Sequence, residues 1–364
     1  MSFNILEFLI GIIFLIWIFS KEKKLSLRAT RYSLPVALIL LGLALSVIAN
    51  KNYLVGLGAM KGWFVFPIVF GIIFFEALKK DESFLKKSLL ALFFSGVAVS
   101  IVGIVYKFLE NLTYDGRLKI FWDSPNQLAM FLAIPFLIGL FFVLREKEIS
   151  KKRFYILGLS LVGLSLYYSF SYGAWLAITV AIIVFFWLKY RSIAQKRYVA
   201  IFLVFLLFFL GWASFSKLKN IQNLGERSSL ASRFVIWKSA GLMIKNNSLF
   251  GVGAGNFQNK YLEYQKYFPP YLEWSAPQPH NIFLAFWLES GLAGLVGFII
   301  LLFYFFRDNK KAIINNRDFG ILFFGIMAYI LVHGLIDTTY WRNDLAVVFW
   351  VVIAANLHSK EKRD

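Results

Sequence analysis

The feature that most constrains this chain is a series of long apolar segments. A helix needs about 20 apolar residues to cross a bilayer, and backbone inside lipid must satisfy its own hydrogen bonds. Segment length therefore predicts an all-α integral membrane protein with about eleven transmembrane helices. The segments cover 3–19, 34–49, 63–78, 88–108, 127–144, 154–170, 173–188, 198–216, 281–306, 319–336 and 343–357.

The composition supports this class and excludes several functions. Apolar residues make up 59% of the chain and charged residues 16%, against about 25% charged in soluble domains. The absence of cysteine excludes a disulfide framework, thiol catalysis and a cysteine-ligated metal. The net charge of +19 sits in short clusters between apolar segments, so we interpret it as a topology signal and not as a nucleic-acid site.

The sequence shows no repeat of 20–50 residues and no low-complexity linker, which predicts one membrane domain over 1–364. The first apolar segment lacks a preceding basic region and a small-residue cleavage site, so we expect it to be retained as a span.

The Lys and Arg residues indicate an orientation. Alternate connections, together with the tail 358–364, contain 25 of the 39 basic residues. The remaining 14 lie on the other face, eight of them in the long segment 217–280. Since cytoplasmic loops carry the excess of Lys and Arg, we expect the N-terminus outside and the C-terminus in the cytoplasm. The 217–280 loop, between the eighth and ninth helices, is then extracytoplasmic.

This long loop carries two local structure signals. Apolar residues recur every three or four positions over 226–246, which predicts an amphipathic helix on the membrane surface or on the bundle. That stripe comprises Leu230, Phe234, Trp237, Gly241 and Ile244. Gly251, Gly253 and Gly255 then predict a turn in which backbone approaches another element closely.

Three arginines are candidate anion ligands on the same face: Arg227, Arg233 and, in the earlier loop, Arg117. A guanidinium group can bind a phosphate diester or diphosphate through two parallel hydrogen bonds. The alternative is that these side chains are solvated or contact lipid headgroups in general.

His280 ends the loop where the ninth helix begins, and an imidazole there suits a general base. It could equally cap the helix or hold an interface. His333 and Asp337 lie one turn apart and are functional candidates, or simply a structural pair. No histidine cluster has metal-ligand spacing and no P-loop occurs, so we expect no metal and no cofactor.

Taken together, these segments resemble the bacterial O-antigen ligase and polymerase family of integral membrane glycosyltransferases. The matching pieces are SRFVIW with Arg233 and Trp237, LFGVGAGNFQNKY, His280-Asn281, ESGLAGLVGF, GRLKIFWDSPNQLA at 116–129 and HGLID at 333–337. In place of a Ser-Arg-Gly pattern typical of the family, this chain has Ser171-Tyr172-Gly173, and Arg227 and Arg117 are the candidates to supply the missing charge.

The resemblance implies a GT-C-like fold and a glycan donor on undecaprenyl diphosphate, at the outer leaflet of the bacterial cytoplasmic membrane. The glycan would pass, without a metal, to a hydroxyl of a sugar, a lipid core or a protein. Arg233 would bind the diphosphate and His280 would deprotonate the acceptor. Trp237, Asn281, His333 and Asp337 are further substrate-binding candidates. The alternatives are a flippase for lipid-linked sugars and a non-catalytic membrane scaffold.

Overall fold

The structure is a computed structural model that describes residues 4–20, 31–190, 229–269 and 275–361. All regular secondary structure in these ranges is helical. The helices are α1 Ile5–Phe19, α2 Ser33–Asn50, α3 Tyr53–Met60, α4 Phe66–Lys80, α5 Ser83–Phe108, α6 Pro125–Arg145, α7 Ile149–Tyr168, α8 Tyr172–Lys189, α9 Ser229–Asn246, α10 Phe257–Tyr264, α11 Ile282–Asn315, α12 Arg317–Gly334 and α13 Asn343–Glu361. The apolar segment 198–216 and Arg227 lie outside the described residues.

Seven candidate membrane spans occur among the described residues, and they confirm the class of a helical integral membrane protein. They are α2, the continuous stretch Tyr53–Lys80 formed by α3, a π-helical turn and α4, and then α5, α6, α8, α11 and α12. The helices α1, α7 and α13 coincide with predicted apolar segments without being among the seven. Eleven crossings therefore stay a prediction.

The helices pack as pairs around a core rich in aromatic residues. Helix α2 lies along α11, α12 along α8, α13 along α4, and α7 along α6. Glycine permits the closest of these approaches. A Cβ atom at Gly42 of α2 would collide with the carbonyl of Ser290, and one at Gly297 of α11 would lie 2.8 Å from the carbonyl of Pro35. Small residues at such crossings let two backbones come into van der Waals contact within a membrane.

Helix α11 kinks at Gly291, where φ is 65°. The glycine cluster packs into this kink. Val252 donates its N–H to the carbonyl of Leu288 at 2.6 Å, and a Cβ atom at Gly251 would collide with that same carbonyl. The close backbone approach predicted for the cluster is thus present. Glu289 accepts the N–H of Gly255 at 3.0 Å, so this carboxylate ties the turn to the kinked helix.

The connections gather at two ends of the bundle. At one end, loops 109–124, 169–171, 247–256 and 335–342 contact one another or neighbouring helix ends, and we call this the polar end. At the opposite end, the buried carboxylate of Asp308 lies 3.1 Å from Arg31 and 3.2 Å from Lys360. Arg145 pairs with Asp318 there at 3.1 Å.

Helix α9 lies at the polar end, and its most deeply buried residues adjoin the predicted stripe. Its buried residues Ile236, Ala240 and Met243 pack with Tyr261 of α10. Leu230 and Phe234 of the predicted stripe are 51% and 52% exposed. Trp237 and Ile244 of the stripe pack against the same buried cluster, so part of the predicted stripe takes part in this contact.

Candidate active site

Three side chains from three separate elements converge at the polar end: His280, Asp337 and Arg233. Nδ1 of His280 lies 2.9 Å from Oδ1 of Asp337, and Nη2 of Arg233 lies 3.5 Å from Oδ2 of the same carboxylate. The side chain of Asp337 is 4% exposed, whereas those of His280 and Arg233 are 29% and 15% exposed. The carboxylate is therefore the buried centre of the cluster, and the imidazole is its most accessible member.

The backbone around His280 holds the ring in place. His280 itself has a φ of 47°, in the left-handed region that side-chain-bearing residues rarely adopt. The next residue, Asn281, caps α11 by accepting the N–H groups of Phe283 and Leu284. Its amide nitrogen also donates to the carbonyl of Leu335 at 2.9 Å. Because Asn281 performs the capping, the His280 ring is left for Asp337.

Asp337 is an ionised acceptor. Burial opposes its ionisation, but the charge and hydrogen bond of His280 and the charge of Arg233 outweigh burial and hold the pKa of Asp337 well below its ordinary value. An ionised carboxylate only accepts hydrogen bonds, so Nδ1 of His280 carries the proton that it donates. In its neutral form the imidazole therefore presents an unprotonated Nε2, the atom required of a general base.

Arg233 is anchored to the same loop as Asp337. Its Nε donates to the carbonyl of Ile336 at 2.7 Å, next to the ion pair with Asp337. One turn further along α9, Trp237 donates its indole N–H to the carbonyls of Pro279 and His280, at 3.1 and 3.3 Å. The SRFVIW segment thus holds the backbone on both sides of the His280–Asp337 contact.

Arg117 lies beside the connection between α7 and α8, near Tyr172. Its Nε donates to the carbonyl of Ser169 at 2.8 Å, and its Nη2 donates to Asn126 at 2.8 Å. Burial lowers the pKa of Arg117, Asp115 raises it, and the like charge of Arg233 lowers it further. The two guanidinium groups therefore repel each other, while the acidic partner of Arg117, Asp115, is 3.9 Å away.

The side chain of His333 does not hydrogen-bond to that of Asp337, with which a pair was predicted. The ring is 1% exposed, and its Nδ1 lies 2.8 Å from the hydroxyl of Tyr329. Asp337 donates its backbone N–H to the carbonyl of His333, but its carboxylate turns to His280. The two residues are thus joined through the backbone, and each side chain has its hydrogen bond elsewhere.

The structure thus gathers Arg233, His280, Asp337, Trp237 and Asn281 directly, with Arg117 and His333 at the edge. Ser124 caps α6, and its hydroxyl accepts the N–H of Gln127. Asn126, in the first turn of α6, is left to bind Arg117. The contact of His280 with Asp337 spans 57 positions and had no local sequence signal.

Fold and site together define a multi-pass helical membrane protein with a polar, ionisable centre at one end of its bundle. A comparison with known families gives a match over part of the chain. A family model described as O-antigen ligase matches residues 157–299, which include Arg233, Trp237 and His280. The match supports assignment of the chain to the O-antigen ligase and polymerase family, and it confirms the resemblance seen in the sequence. A search of curated proteins found no match.

Proposed function

We propose that the protein transfers a glycan from undecaprenyl diphosphate to an acceptor hydroxyl at the outer face of the bacterial cytoplasmic membrane, as a ligase- or polymerase-like enzyme. The observation that carries the proposal is the Asp337 carboxylate, which joins a candidate base, His280, to a candidate anion ligand, Arg233. The family match supports glycosyl transfer in general. The donor, the acceptor and the membrane face are our proposal.

In the transfer step, Nε2 of His280 takes the proton of the acceptor hydroxyl. The acceptor oxygen forms a bond to the anomeric carbon as the bond from that carbon to the diphosphate oxygen breaks. The electron pair of the broken bond leaves with undecaprenyl diphosphate, and the proton stays on the imidazole. Asp337, 2.9 Å from Nδ1, stabilises the resulting imidazolium.

Arg233 and Arg117 provide the positive charge that a leaving diphosphate requires. Both side chains are largely buried, with 15% and 22% exposed, so their charges are less screened than surface charges. An anion between them would relieve their mutual repulsion and compensate their desolvation. Because two guanidinium groups perform this task, we extend the proposal to a metal-independent reaction, for which full activity is expected in excess EDTA.

The proposed orientation places the polar end outside the cell, with 217–280 as an extracytoplasmic loop of a single membrane domain. The excess of Lys and Arg in the alternate connections supports it. Reporter fusions at Lys151 and Lys310 should then report the cytoplasm, and a fusion at Tyr261 the outside. A cytoplasmic signal at Tyr261 would put the site on the wrong face for this donor.

The function itself is tested by the fate of the donor in proteoliposomes. A transferase converts lipid-linked glycan and acceptor into glycosylated acceptor and sugar-free undecaprenyl diphosphate. A flippase moves the same lipid across the bilayer and leaves its glycosidic bond intact. Release of sugar-free lipid diphosphate that depends on acceptor supports the proposal. Transbilayer movement of intact donor without such release would contradict it.

A further inference from the structure

A second polar cluster lies at the polar end, beside the site described above. Nε of Arg342 donates to Oδ1 of Asp344 at 3.0 Å, and its Nη1 donates to the side-chain oxygen of Gln127. The indole N–H of Trp122 lies 3.4 Å from Oδ2 of Asp344. We call these four residues the Arg342 cluster.

Rigid elements hold this cluster. Gln127 belongs to the first turn of α6 and Asp344 to the first turn of α13. Trp122 stacks on Phe131 with ring centroids 5.3 Å apart, and the guanidinium carbon of Arg342 lies 5.9 Å from the indole ring. Side chains fixed between two helix starts keep their hydrogen-bonding directions, which is the condition for selective binding.

The Arg342 cluster differs from the Arg117–Arg233 region in its net charge. Arg342 and Asp344 compensate each other, and each side chain is 27% exposed. The cluster therefore offers an amide, a carboxylate and a guanidinium without net charge. Such a set suits sugar hydroxyls, which both donate and accept hydrogen bonds and carry no charge. A diphosphate would instead be repelled by Asp344.

The two regions share one helix start. Asn126 binds Arg117 and the next residue, Gln127, binds Arg342. On the other side, the loop 335–342 carries both Asp337 and Arg342. A ligand that has an anionic group at the first region can therefore reach the Arg342 cluster with an adjoining sugar.

We propose that the Arg342 cluster is a sugar subsite that binds the glycan of the lipid-linked donor. This rests on the proposed function, since the donor is the molecule that joins a sugar to a diphosphate. The subsite adds selectivity for the glycan, whereas Arg233 and Arg117 bind the part that all such lipids share.

The experiment measures the binding of two lipids to purified protein: sugar-free undecaprenyl diphosphate, and lipid-linked glycans extracted from cells that carry the gene. The test variant is Arg342→Gln with Asp344→Asn, which removes both charges together and leaves neither one unpaired. We expect about a tenfold loss of affinity for the glycan lipid, the equivalent of one charged hydrogen bond. Affinity for the sugar-free lipid should change by less than about twofold.

Two further variants serve as controls for the binding of the two lipids. Tyr114→Ala removes a fully exposed aromatic side chain from the same loop as Trp122 and should affect neither lipid. Arg233→Ala should weaken both lipids. If the double variant does not fold, Gln127→Ala removes only the amide and should lower glycan-lipid affinity by about threefold.

Equal losses for both lipids, or no loss for either, would overturn the sugar subsite. Failure of the proposed function gives a different result: wild-type protein would not bind sugar-free undecaprenyl diphosphate, and Arg233→Ala would change nothing. Selective loss of glycan-lipid affinity in the double variant would support the sugar subsite even then.

Discussion

Nδ1 of His280 and Oδ1 of Asp337 lie 2.9 Å apart, although 57 positions separate the two residues in the chain. The contact joins the end of the long polar loop to the loop between α12 and α13. It also settles which imidazole nitrogen faces the carboxylate, and hence which one can accept a proton.

The account predicts that Asp337→Asn lowers transfer by about 10²–10⁴-fold, because the amide cannot hold the imidazole tautomer or stabilise its protonated form. Turnover of purified protein at saturating donor measures this. The loss should be similar from pH 6 to pH 8, because the lowered pKa of Asp337 keeps the wild-type carboxylate ionised throughout. A variant within a few-fold of wild type would contradict the orienting role.

The same pKa shift has a consequence for stability. A carboxyl group whose pKa is lower in the folded state stabilises the fold above its unfolded pKa, and this contribution is lost as pH falls through the folded pKa. Between pH 8 and pH 5 wild type should therefore keep a higher unfolding temperature than Asp337→Asn throughout. A difference that shrinks steadily over this range would show that Asp337 titrates there.

Arg233→Ala should abolish transfer, and Arg233→Lys should restore little of it. An ammonium group cannot donate to the carbonyl of Ile336 and to Asp337 with the fixed fork of a guanidinium. Lys238→Ala is the matched control, since it removes an exposed cation from the same helix. Full transfer by Arg233→Ala would exclude the diphosphate role.

Arg117→Ala should reduce transfer less than Arg233→Ala, mainly through a donor KM raised about tenfold, the loss of one charged hydrogen bond. Lys119→Ala, an exposed cation two residues away, should have no effect. If Arg117 replaces the family arginine, adding Tyr172→Arg to Arg117→Ala should recover donor affinity. Absence of any recovery would show that the two positions are not equivalent.

The glycine cluster gives a paired stability prediction. Gly251→Ala should destabilise the protein by roughly 3 kcal/mol, because φ is 67° and the added Cβ atom collides with the carbonyl of Leu288. Gly241→Ala places a methyl group where no atom lies within 4 Å, on a helix, and should stabilise by about 0.5–1 kcal/mol. Thermal unfolding in detergent measures both. A Gly251→Ala variant as stable as wild type would contradict the packing at the kink.

The sequence predicted what depends on local pattern. Apolar length located the helices, and the SRFVIW and His280-Asn281 motifs indicated residues that lie close together in the structure. Burial along α9 was predicted only in part, since Trp237 and Ile244 of the stripe pack against α10 and its neighbours while Leu230 and Phe234 are exposed. An apolar stripe indicates that a helix has a face to bury, but not which neighbour will cover it.

Long-range partners could not be predicted. His333 and Asp337 are four residues apart, which favoured a side-chain pair, but the side chain of His333 hydrogen-bonds to Tyr329. The partner of Asp337 is His280, brought close by the packing of α11 against α12. Arg342 carried no motif, and only the structure shows its contacts with Gln127 and Asp344.

The most direct test of the central claim is His280→Gln, assayed for both donor binding and turnover with a lipid-diphosphate glycan. Glutamine can retain a hydrogen bond to Asp337, but it cannot accept the proton of an acceptor hydroxyl. The account predicts turnover lower by about 10²–10⁴-fold, with donor affinity and unfolding temperature close to wild type. Turnover within a few-fold of wild type would rule out His280 as the base.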